Sequence, residues 1–381
     1  MPSNSCVRGL ASAVTDPRRS AYLQMIEDRG EIGSRFTSIR RLPVAGGHFS
    51  LMFTAVDGTN GQSVALKVFH PDHRADAYRW ACFQRESALL QRFLGQPDVL
   101  QLVCGRSEFV ETLNTTAGFA FDVLFAYHAT ELAASDVLTA ISGRNWDAQQ
   151  KFVAFRTMCR SIQRLHSAGI VYRDAKPENF LIMKDGTVNL SDLGTARDLH
   201  DPGSALLTQY DRIPGDLRYV APEIFAHLHD VNPSYAFGAD VYSLGATLFE
   251  LFTGVQLGVQ VFGPSMLAAM RPYMLGIDRS ERVRTFNDVI GSIADGHPLP
   301  DMAGYGPNVP GCIRQRLDSL YKSMSAIDYR KRLTDFSRVF GQIETCLLIL
   351  RNEEKYSSWR RERQKRRAAR LARSEVKGAI S

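Results

Sequence analysis

The sequence lacks most of the features that mark secreted, zinc-binding or membrane proteins. Its six cysteines lie far apart, and none of them forms a CxxC pair. This spacing argues against a zinc site and against a disulfide framework. No run approaches the roughly 20 apolar residues that a membrane span requires, and the first 20 residues have no continuous apolar core of a signal peptide. We therefore expect a cytoplasmic protein, or a nuclear one if the source is eukaryotic.

The positive charge of the chain is concentrated at one end. The formal net charge is +6, yet residues 351–377 contain eleven Lys or Arg and four Glu, a net charge of +7. The rest of the chain is therefore close to neutral. This basic tail fits a solvated charge run, and it also fits contact with a nucleic acid, an anionic membrane or an acidic partner. Because Tyr356 and Trp359 are its only aromatic residues, stacking on single-stranded nucleic acid is poorly supported.

Hydrophobic periodicity separates a strand-rich part from a helix-rich part. Residues 36–70 alternate apolar and polar side chains around an Asp-Gly turn signal, which predicts three antiparallel strands. Helical spacing in residues 78–94 predicts a helix, and two further strands are expected within residues 100–127. Beyond about residue 129 the chain is mainly helical. The apolar segment 239–254 predicts a helix buried in the centre of this helix-rich part.

The densest group of chemical functions is the segment YRDAKPEN. Asp174 supplies a carboxylate, Lys176 an ammonium and Asn179 an amide, and a second carboxylate, Asp192, follows in the tripeptide DLG. Phosphoryl transfer needs little covalent chemistry from a protein, because catalysis is mostly alignment of the acceptor hydroxyl and neutralisation of charge by Mg²⁺ and cations. These four side chains at this spacing point to that reaction.

These segments resemble the catalytic and magnesium-binding loops of eukaryotic-type (Hanks-type) protein kinases. Four more segments follow the family's pattern in the family's order: VALK ending at Lys67, APE at 221–223, DVYSLG at 240–245 and DYRKR ending at Arg332. The resemblance implies an α+β, bilobal protein kinase fold. Its small lobe would be a five-stranded antiparallel sheet with one helix, and its larger lobe mainly helical.

The resemblance also divides the chain into an N-terminal extension, a kinase domain of two lobes and a basic C-terminal tail. The expected bounds are residues 1–37, 38–345 (small lobe 38–128, large lobe 129–345) and 346–381. A short helix is expected at 21–29 in the extension. The connection between the lobes is expected near Leu124–Tyr127. Residues 254–311 resemble the family least, and we assign no chemistry to them.

The resemblance implies a role for each group of the catalytic loop. Asp174 would be the base that accepts the proton of the substrate hydroxyl, and Lys176 would bridge the transferring phosphoryl and the attacking oxygen. A lysine two residues after the aspartate is the pattern of serine/threonine kinases. Asn179 and Asp192 would ligate Mg²⁺.

The nucleotide-binding residues are likewise implied by the resemblance. Lys67 would hold the α- and β-phosphates of ATP, with Glu86 on the predicted helix as its ion-pair partner. Glu108 and Glu111 are also available for this role. The residues expected at ATP are Val44, Gly47, Met52, Ala65, Lys67, Leu181 and Asp192. Glu223 and Arg332 resemble the ion pair that anchors the activation segment, and Asp240 resembles the brace of the catalytic loop; both roles are structural.

Two departures from the family pattern bear on function. The three glycines of the phosphate loop become Ala45, Gly47 and Ser50, so only the middle one is kept. A plain hairpin turn explains this segment about as well as a phosphate loop does. Asp216 stands where the family usually has a threonine. A carboxylate there could pair with Lys176, reshape the substrate groove or favour basic substrates.

The function expected from these residues is a protein serine/threonine kinase that uses ATP and Mg²⁺ and acts on Ser or Thr of protein substrates. The eroded phosphate loop and Asp216 motivate an alternative, a pseudokinase or kinase-fold scaffold that binds nucleotide or partners without efficient catalysis. A small-molecule kinase of the same architecture is a second alternative. The APE segment with its Arg332 partner, and Lys176, favour protein substrates.

Overall fold

The fold comes from a computed structural model, which describes residues 17–42, 50–114, 119–143, 146–201, 213–232, 234–261, 270, 272–305, 309–353, 355, 359, 362 and 363. The chain divides into two compact units. The N-terminal unit comprises Met1–Leu94 and Gln101–Leu132, and the C-terminal unit comprises Gly95–Leu100 and Ala133–Ser381.

The N-terminal unit is built on one antiparallel sheet. Its strands are β1 (Glu31–Ile32), β2 (Phe36–Arg41), β3 (Ser50–Asp57), β4 (Ser63–Phe69), β5 (Leu102–Asn114) and β6 (Ala120–Glu131), and its α-helices in the described residues are α1 (Pro17–Arg29) and α2 (Ala77–Arg92). The strand order is β1-β2-β3-β4-β6-β5, with every pair antiparallel. The five predicted strands are β2 to β6, and β1 adds a two-residue strand at the edge beside β2.

The turn between β3 and β4 forms at the predicted Asp-Gly pair. The N–H of Asp57 donates to the carbonyl of Gln62 over 2.8 Å, and the N–H of Gly61 donates to the carbonyl of Asp57 over 2.7 Å. Arg35 donates to the two carboxylate oxygens of Asp57 from Nε and Nη2, over 2.9 and 2.7 Å. These hydrogen bonds hold the pKa of Asp57 well below its usual range, so the carboxylate stays ionised although it has no exposed surface.

Helix α1 packs into the core of this unit. Tyr22 and Ile26 are buried in the same cluster as Phe53 and Phe125. The hydroxyl of Tyr22 also donates to Asp72 over 2.8 Å. The helix expected in the N-terminal extension is therefore present, and it contributes apolar surface to the N-terminal unit.

The C-terminal unit is mainly helical. Its helices are α3 (Val137–Ser142), α4 (Ala148–Ser167), α5 (Pro222–Phe225), α6 (Leu228–Val231), α7 (Tyr235–Thr253), α8 (Leu257–Val261), α9 (Arg282–Gly296), α10 (Arg314–Met324) and α11 (Phe336–Arg351), and its strands are β7 (Ser135–Asp136), β8 (Ile170–Val171), β9 (Phe180–Ile182), β10 (Val188–Leu190) and β11 (Arg197–Asp198). The strands form two small sheets, β10-β9-β7 and β11-β8. The α+β fold class expected from the sequence is confirmed.

Two helices of this unit position the catalytic loop. Helix α4 begins at a capping box, in which the N–H of Gln150 donates to the carboxylate of Asp147 over 2.8 Å and the Gln150 side chain accepts from the N–H of Asp147. Strand β8 follows α4 closely and leads directly to Tyr172. Helix α7 is buried along nearly its whole length, as its apolar sequence predicts.

The connection expected near Leu124–Tyr127 is wrong. These residues lie inside β6, and the division between the units follows Leu132. The strand continues because Phe125–Thr130 are buried without interruption by a turn residue. Because His128 and Thr130 are buried along with their apolar neighbours, this run has no alternation of buried and exposed residues that would reveal its end.

Several expectations fall on residues outside the described ones: Val44, Ala45 and Gly47 of the phosphate loop and most of the basic run 351–377. The five cysteines in the described part of the chain are free thiols. In the same part of the chain, every helix is too short or too polar to be a membrane-spanning segment.

Candidate active site

The buried carboxylate of Asp240, on helix α7, holds the backbone of the catalytic loop in place. Asp240 accepts the backbone N–H groups of Tyr172 and Arg173, each over 2.7 Å, and Nε2 of His166 lies 2.9 Å from the same carboxylate. Arg173 has a φ of 71°, a left-handed conformation that is uncommon for a residue other than glycine. The bonds to Asp240 fix the backbone immediately before Asp174. This geometry agrees with the bracing role expected for Asp240.

Asp174 is buried and accepts three hydrogen bonds. Its Oδ2 accepts from Nδ2 of Asn179 over 2.8 Å and lies 3.0 Å from Nζ of Lys176. Its Oδ1 accepts the backbone N–H of Asp216 over 2.9 Å. Burial raises the pKa of Asp174 to about 6, although the charge of Lys176 acts in the opposite direction. The carboxylate is therefore oriented by three donors and is more basic than an ordinary aspartate.

Lys176 lies between two carboxylates. Its Nζ is 3.0 Å from Oδ2 of Asp174 and 3.8 Å from Oδ2 of Asp216. Burial by itself lowers the pKa of a lysine, but the carboxylates of Asp174, Asp216 and Asp192 together outweigh this effect and raise the pKa of Lys176 above its ordinary value. Lys176 therefore remains a cation next to the candidate base.

The β9–β10 hairpin brings Asn179 and Asp192 together. Both the N–H and the hydroxyl of Ser191 donate to the carbonyl of Asn179 over 2.9 Å, which puts Asp192 one residue beyond this contact. The two hydrogens of the Asn179 amide donate to the backbone carbonyl and the carboxylate of Asp174, and the amide oxygen takes no part in these bonds. Asp192 is near enough to contribute to the raised pKa of Asp174.

This pair of oxygen donors fits Mg²⁺. Magnesium prefers carboxylate and amide oxygens, and in phosphoryl-transfer sites it uses one or two protein ligands and completes its shell with waters and substrate phosphates. Within the described ranges, no three His, Cys, Asp or Glu side chains are arranged to hold a metal ion. Asn179 and Asp192 therefore offer a partial site of the kind that a bound nucleotide would complete.

The N-terminal unit forms the predicted lysine–glutamate pair. Nζ of Lys67, on β4, lies 2.6 Å from Oε2 of Glu86, on α2. The buried ring of His128, opposite Lys67 on β6, has Nε2 3.9 Å from the other oxygen of Glu86. His128 was not identified from the sequence, because only the pairing of β4 with β6 brings it next to Glu86.

The remaining residues expected at ATP are distributed over both units. Met52 lies on β3 and Ala65 on β4 in the N-terminal unit, where Met52 is partly buried and Ala65 buried. Leu181 lies on β9 in the C-terminal unit and is partly buried. Val44 and Gly47 lie outside the described residues.

The ion pair expected between Glu223 and Arg332 is present and buried. Nη1 and Nη2 of Arg332 contact the two oxygens of Glu223, the second over 3.1 Å. Arg332 also donates to the backbone carbonyls of Gly238 and Ala326 over 2.9 and 3.0 Å. The pair thus links the start of α5, which begins at the APE proline, to the loop after α10.

The segment before α5 approaches the catalytic loop through a glycine. Gly215 has a φ of +84°, and a Cβ at this position would lie 2.1 Å from the carbonyl oxygen of Arg173. Only glycine allows this approach, which brings the N–H of Asp216 to Asp174.

Asp216 also has an ion-pair partner that the sequence did not reveal. Its Oδ1 accepts from the backbone N–H and the Nε of Arg218 over 3.0 and 2.8 Å, and Nη2 of Arg218 lies 3.2 Å from Oε1 of Glu178. Nothing in the spacing of Glu178 and Arg218 along the chain signals this contact, because it depends on how the two loops meet.

Comparison with known proteins gives a match over most of the chain. A family model described as Protein kinase domain matches residues 43–342. All of the catalytic-loop residues, together with Lys67, Glu86 and Arg332, lie within this match.

Three relatives illustrate the similarity. A probable serine/threonine-protein kinase of Corynebacterium efficiens is 29% identical over 230 residues, which are 60% of this chain and 31% of the relative. Mitogen-activated protein kinase 15 of Rattus norvegicus is 28% identical over 230 residues, 59% of this chain and 38% of the relative. Serine/threonine-protein kinase PknA of Mycobacterium tuberculosis is 29% identical over 218 residues, 57% of this chain and 46% of the relative. The chain thus spans less than half of the length of each of these relatives.

Proposed function

Since the chain belongs to the protein kinase family, we propose that it is an active serine/threonine kinase, which transfers the γ-phosphoryl group of ATP to a Ser or Thr hydroxyl of a protein substrate with Mg²⁺ as cofactor. One observation carries this proposal. The buried carboxylate of Asp174 has Lys176 at 3.0 Å and Asn179 at 2.8 Å, in a loop fixed by Asp240. A base, a cation and a metal ligand are thus held within one short segment.

In this proposal Asp174 receives the proton of the substrate hydroxyl as its oxygen attacks the γ-phosphorus, and the bond from that phosphorus to the β–γ bridging oxygen breaks to release ADP. A pKa of about 6 leaves Asp174 ionised at neutral pH and makes it a better proton acceptor than an ordinary aspartate. The cationic Lys176 offsets negative charge on the transferring phosphoryl group.

The other site residues would bind the nucleotide and its metal. Lys67, fixed by its 2.6 Å ion pair with Glu86, would hold the α- and β-phosphates. Asn179 and Asp192 would hold Mg²⁺, which neutralises phosphate charge when it is bound.

Specificity for serine and threonine has two supports. Lys176 stands two residues after the base, the pattern of serine/threonine kinases, and the relatives from C. efficiens and M. tuberculosis are named as kinases of this class. Protein rather than small-molecule substrates are supported by the buried Glu223–Arg332 pair, which anchors the segment before and after APE.

The test is transfer of labelled γ-phosphate to a mixture of acidic and basic generic proteins. We expect incorporation with Mg-ATP and a loss of about 10²-fold or more in Asp174→Asn, because general base catalysis contributes this much. Asp185→Asn, at an exposed turn of the same unit, is the matched control and should retain activity. Equal incorporation by the two variants, or none by the unaltered protein, would favour the pseudokinase alternative.

A further inference from the structure

The carboxylates beside the candidate base are neutralised by an arginine of the same chain. Arg218 uses its backbone N–H and Nε for Oδ1 of Asp216, and its Nη2 contacts the other oxygen of Asp216. The same Nη2 lies 3.2 Å from Glu178. Both carboxylates adjoin the chemistry, because Glu178 is in the catalytic loop and the N–H of Asp216 donates to Asp174.

Arg218 is held in place by more than these two acids. Its guanidinium carbon lies 5.6 Å from the centre of the Tyr219 ring, within the range of a cation–π contact. The hydroxyl of Tyr219 in turn donates to the buried Glu250. The backbone carbonyl of Tyr219 accepts from the hydroxyl of Ser243 over 2.8 Å. Arg218 therefore packs against the ring of Tyr219, which is itself held by two residues of α7.

The charge of the surface next to Asp174 depends on Arg218. Lys176 lies next to Asp174, Asp216 and Asp192, whereas Arg218 lies next to Asp216, Glu178 and the more distant Glu250. Without Arg218, Glu178 would lose this ion pair, and Asp216 would be left with the more distant Lys176, at 3.8 Å. When Arg218 is present, Asp216 and Glu178 are both in ion pairs with it, and the Arg218 side chain is still 40% exposed. A peptide lying beside Asp174 therefore meets the cation of Arg218 next to the carboxylate of Asp216.

We propose that Arg218 is a specificity-determining residue, which disfavours Lys or Arg and favours neutral or acidic side chains next to the acceptor Ser or Thr. A basic side chain must displace Arg218 from its carboxylates or lie against a like charge, and both are unfavourable. This inference rests on the proposed kinase function, because it assumes that the acceptor hydroxyl is presented to Asp174. It replaces the suggestion from the sequence that Asp216 favours basic substrates.

The test is a positional peptide library with one fixed Ser acceptor and with Arg, Gln or Glu fixed in turn at each neighbouring position. We expect the unaltered protein to phosphorylate Glu or Gln peptides faster than Arg peptides. In Arg218→Gln the rate ratio of Arg to Glu peptides should rise about tenfold at one or more positions, because Asp216 and Glu178 become available. Arg218→Lys keeps the charge and should retain the original preference, which separates a role of charge from one of packing.

A second variant makes the test independent of how well Arg218→Gln folds. The double variant Asp216→Asn with Glu178→Gln leaves Arg218 without its two acids, and it should shift the ratio in the opposite direction, towards Glu peptides. Thermal unfolding identifies a variant that is not folded at the assay temperature. An Arg to Glu ratio that stays within about twofold in every folded variant would overturn the proposal.

Binding measurements separate failure of this inference from failure of the proposed function. Fluorescein-labelled Arg, Gln and Glu peptides from the same library are titrated with each variant, and anisotropy gives the ratio of dissociation constants. If the unaltered protein transfers no phosphate, the kinase proposal fails, and the binding ratio still decides whether Arg218 selects peptide charge. If phosphate is transferred and neither ratio changes, only the role of Arg218 is refuted.

Discussion

The backbone N–H of Asp216 donates to Oδ1 of Asp174 over 2.9 Å, so the segment before APE contributes a donor to the candidate base. The contact is a property of the backbone and not of the Asp216 side chain, whose carboxylate points to Arg218 and Lys176. The conformation of Gly215 and the charge of residue 216 therefore affect the site in different ways, and they can be separated by mutation.

Gly215→Ala should lower kcat by about 10²-fold, because a Cβ placed 2.1 Å from the carbonyl of Arg173 forces the loop away from Asp174. Gly186→Ala is the matched control: Gly186 has a similar φ of +83°, but its Cβ would have nothing within 4 Å. Both variants lose about 1 kcal/mol of stability from the positive φ, and only the first should lose activity. Steady-state kinetics with urea unfolding checks this, and equal kcat in the two variants would contradict it.

The raised pKa of Asp174 predicts a pH dependence. A base must be deprotonated, so kcat/KM should be level above pH 7 and fall about tenfold per pH unit below a pKa of about 6. An ordinary aspartate would sustain activity down to about pH 4. Because the charge of Lys176 lowers the pKa of Asp174, Lys176→Met should move the midpoint of the profile to higher pH as well as reduce its height. A profile that is flat between pH 5 and 8 would show that Asp174 is not the titrating base.

The sequence predicts best the parts of the site that are local in the chain. Asp174, Lys176 and Asn179 lie in one loop, so their spacing already determines that they meet, and the Asp-Gly turn locates β3 and β4. The contact of Arg218 with Glu178 depends on two loops that are distant in sequence. The expected position of the connection after β6 was wrong for another reason. A strand that is buried on both faces has no polar alternation to mark its end.

Burial of Glu250 predicts a stability that depends on pH. Burial raises the pKa of Glu250 to about 7, against about 4.3 in an unfolded chain, so the folded state binds more protons than the unfolded state between these values. The free energy of unfolding should therefore fall as pH rises from about 4.5 to 7, by up to about 3 kcal/mol.

Glu250→Gln should remove most of this decline, because the amide has no proton to lose and can still accept from the hydroxyl of Tyr219. The measurement is urea unfolding of both proteins at pH 5, 6 and 7. Curves that decline in parallel would assign the pH dependence to other groups.

The buried Glu223–Arg332 pair predicts a large loss of stability when one partner is removed. Arg332→Leu leaves the carboxylate of Glu223, which has no exposed surface, without its counter-ion and should cost about 3–5 kcal/mol. Arg284→Leu is the control, because the side chains of Arg284 and its partner Glu281 are 79% and 56% exposed and such a pair contributes at most about 1 kcal/mol. The double variant Arg332→Leu with Glu223→Leu should recover part of the loss, since no unpaired charge remains buried. Urea midpoints for the four proteins decide the matter: similar losses for Arg332→Leu and Arg284→Leu would mean that the buried pair does not anchor this part of the fold.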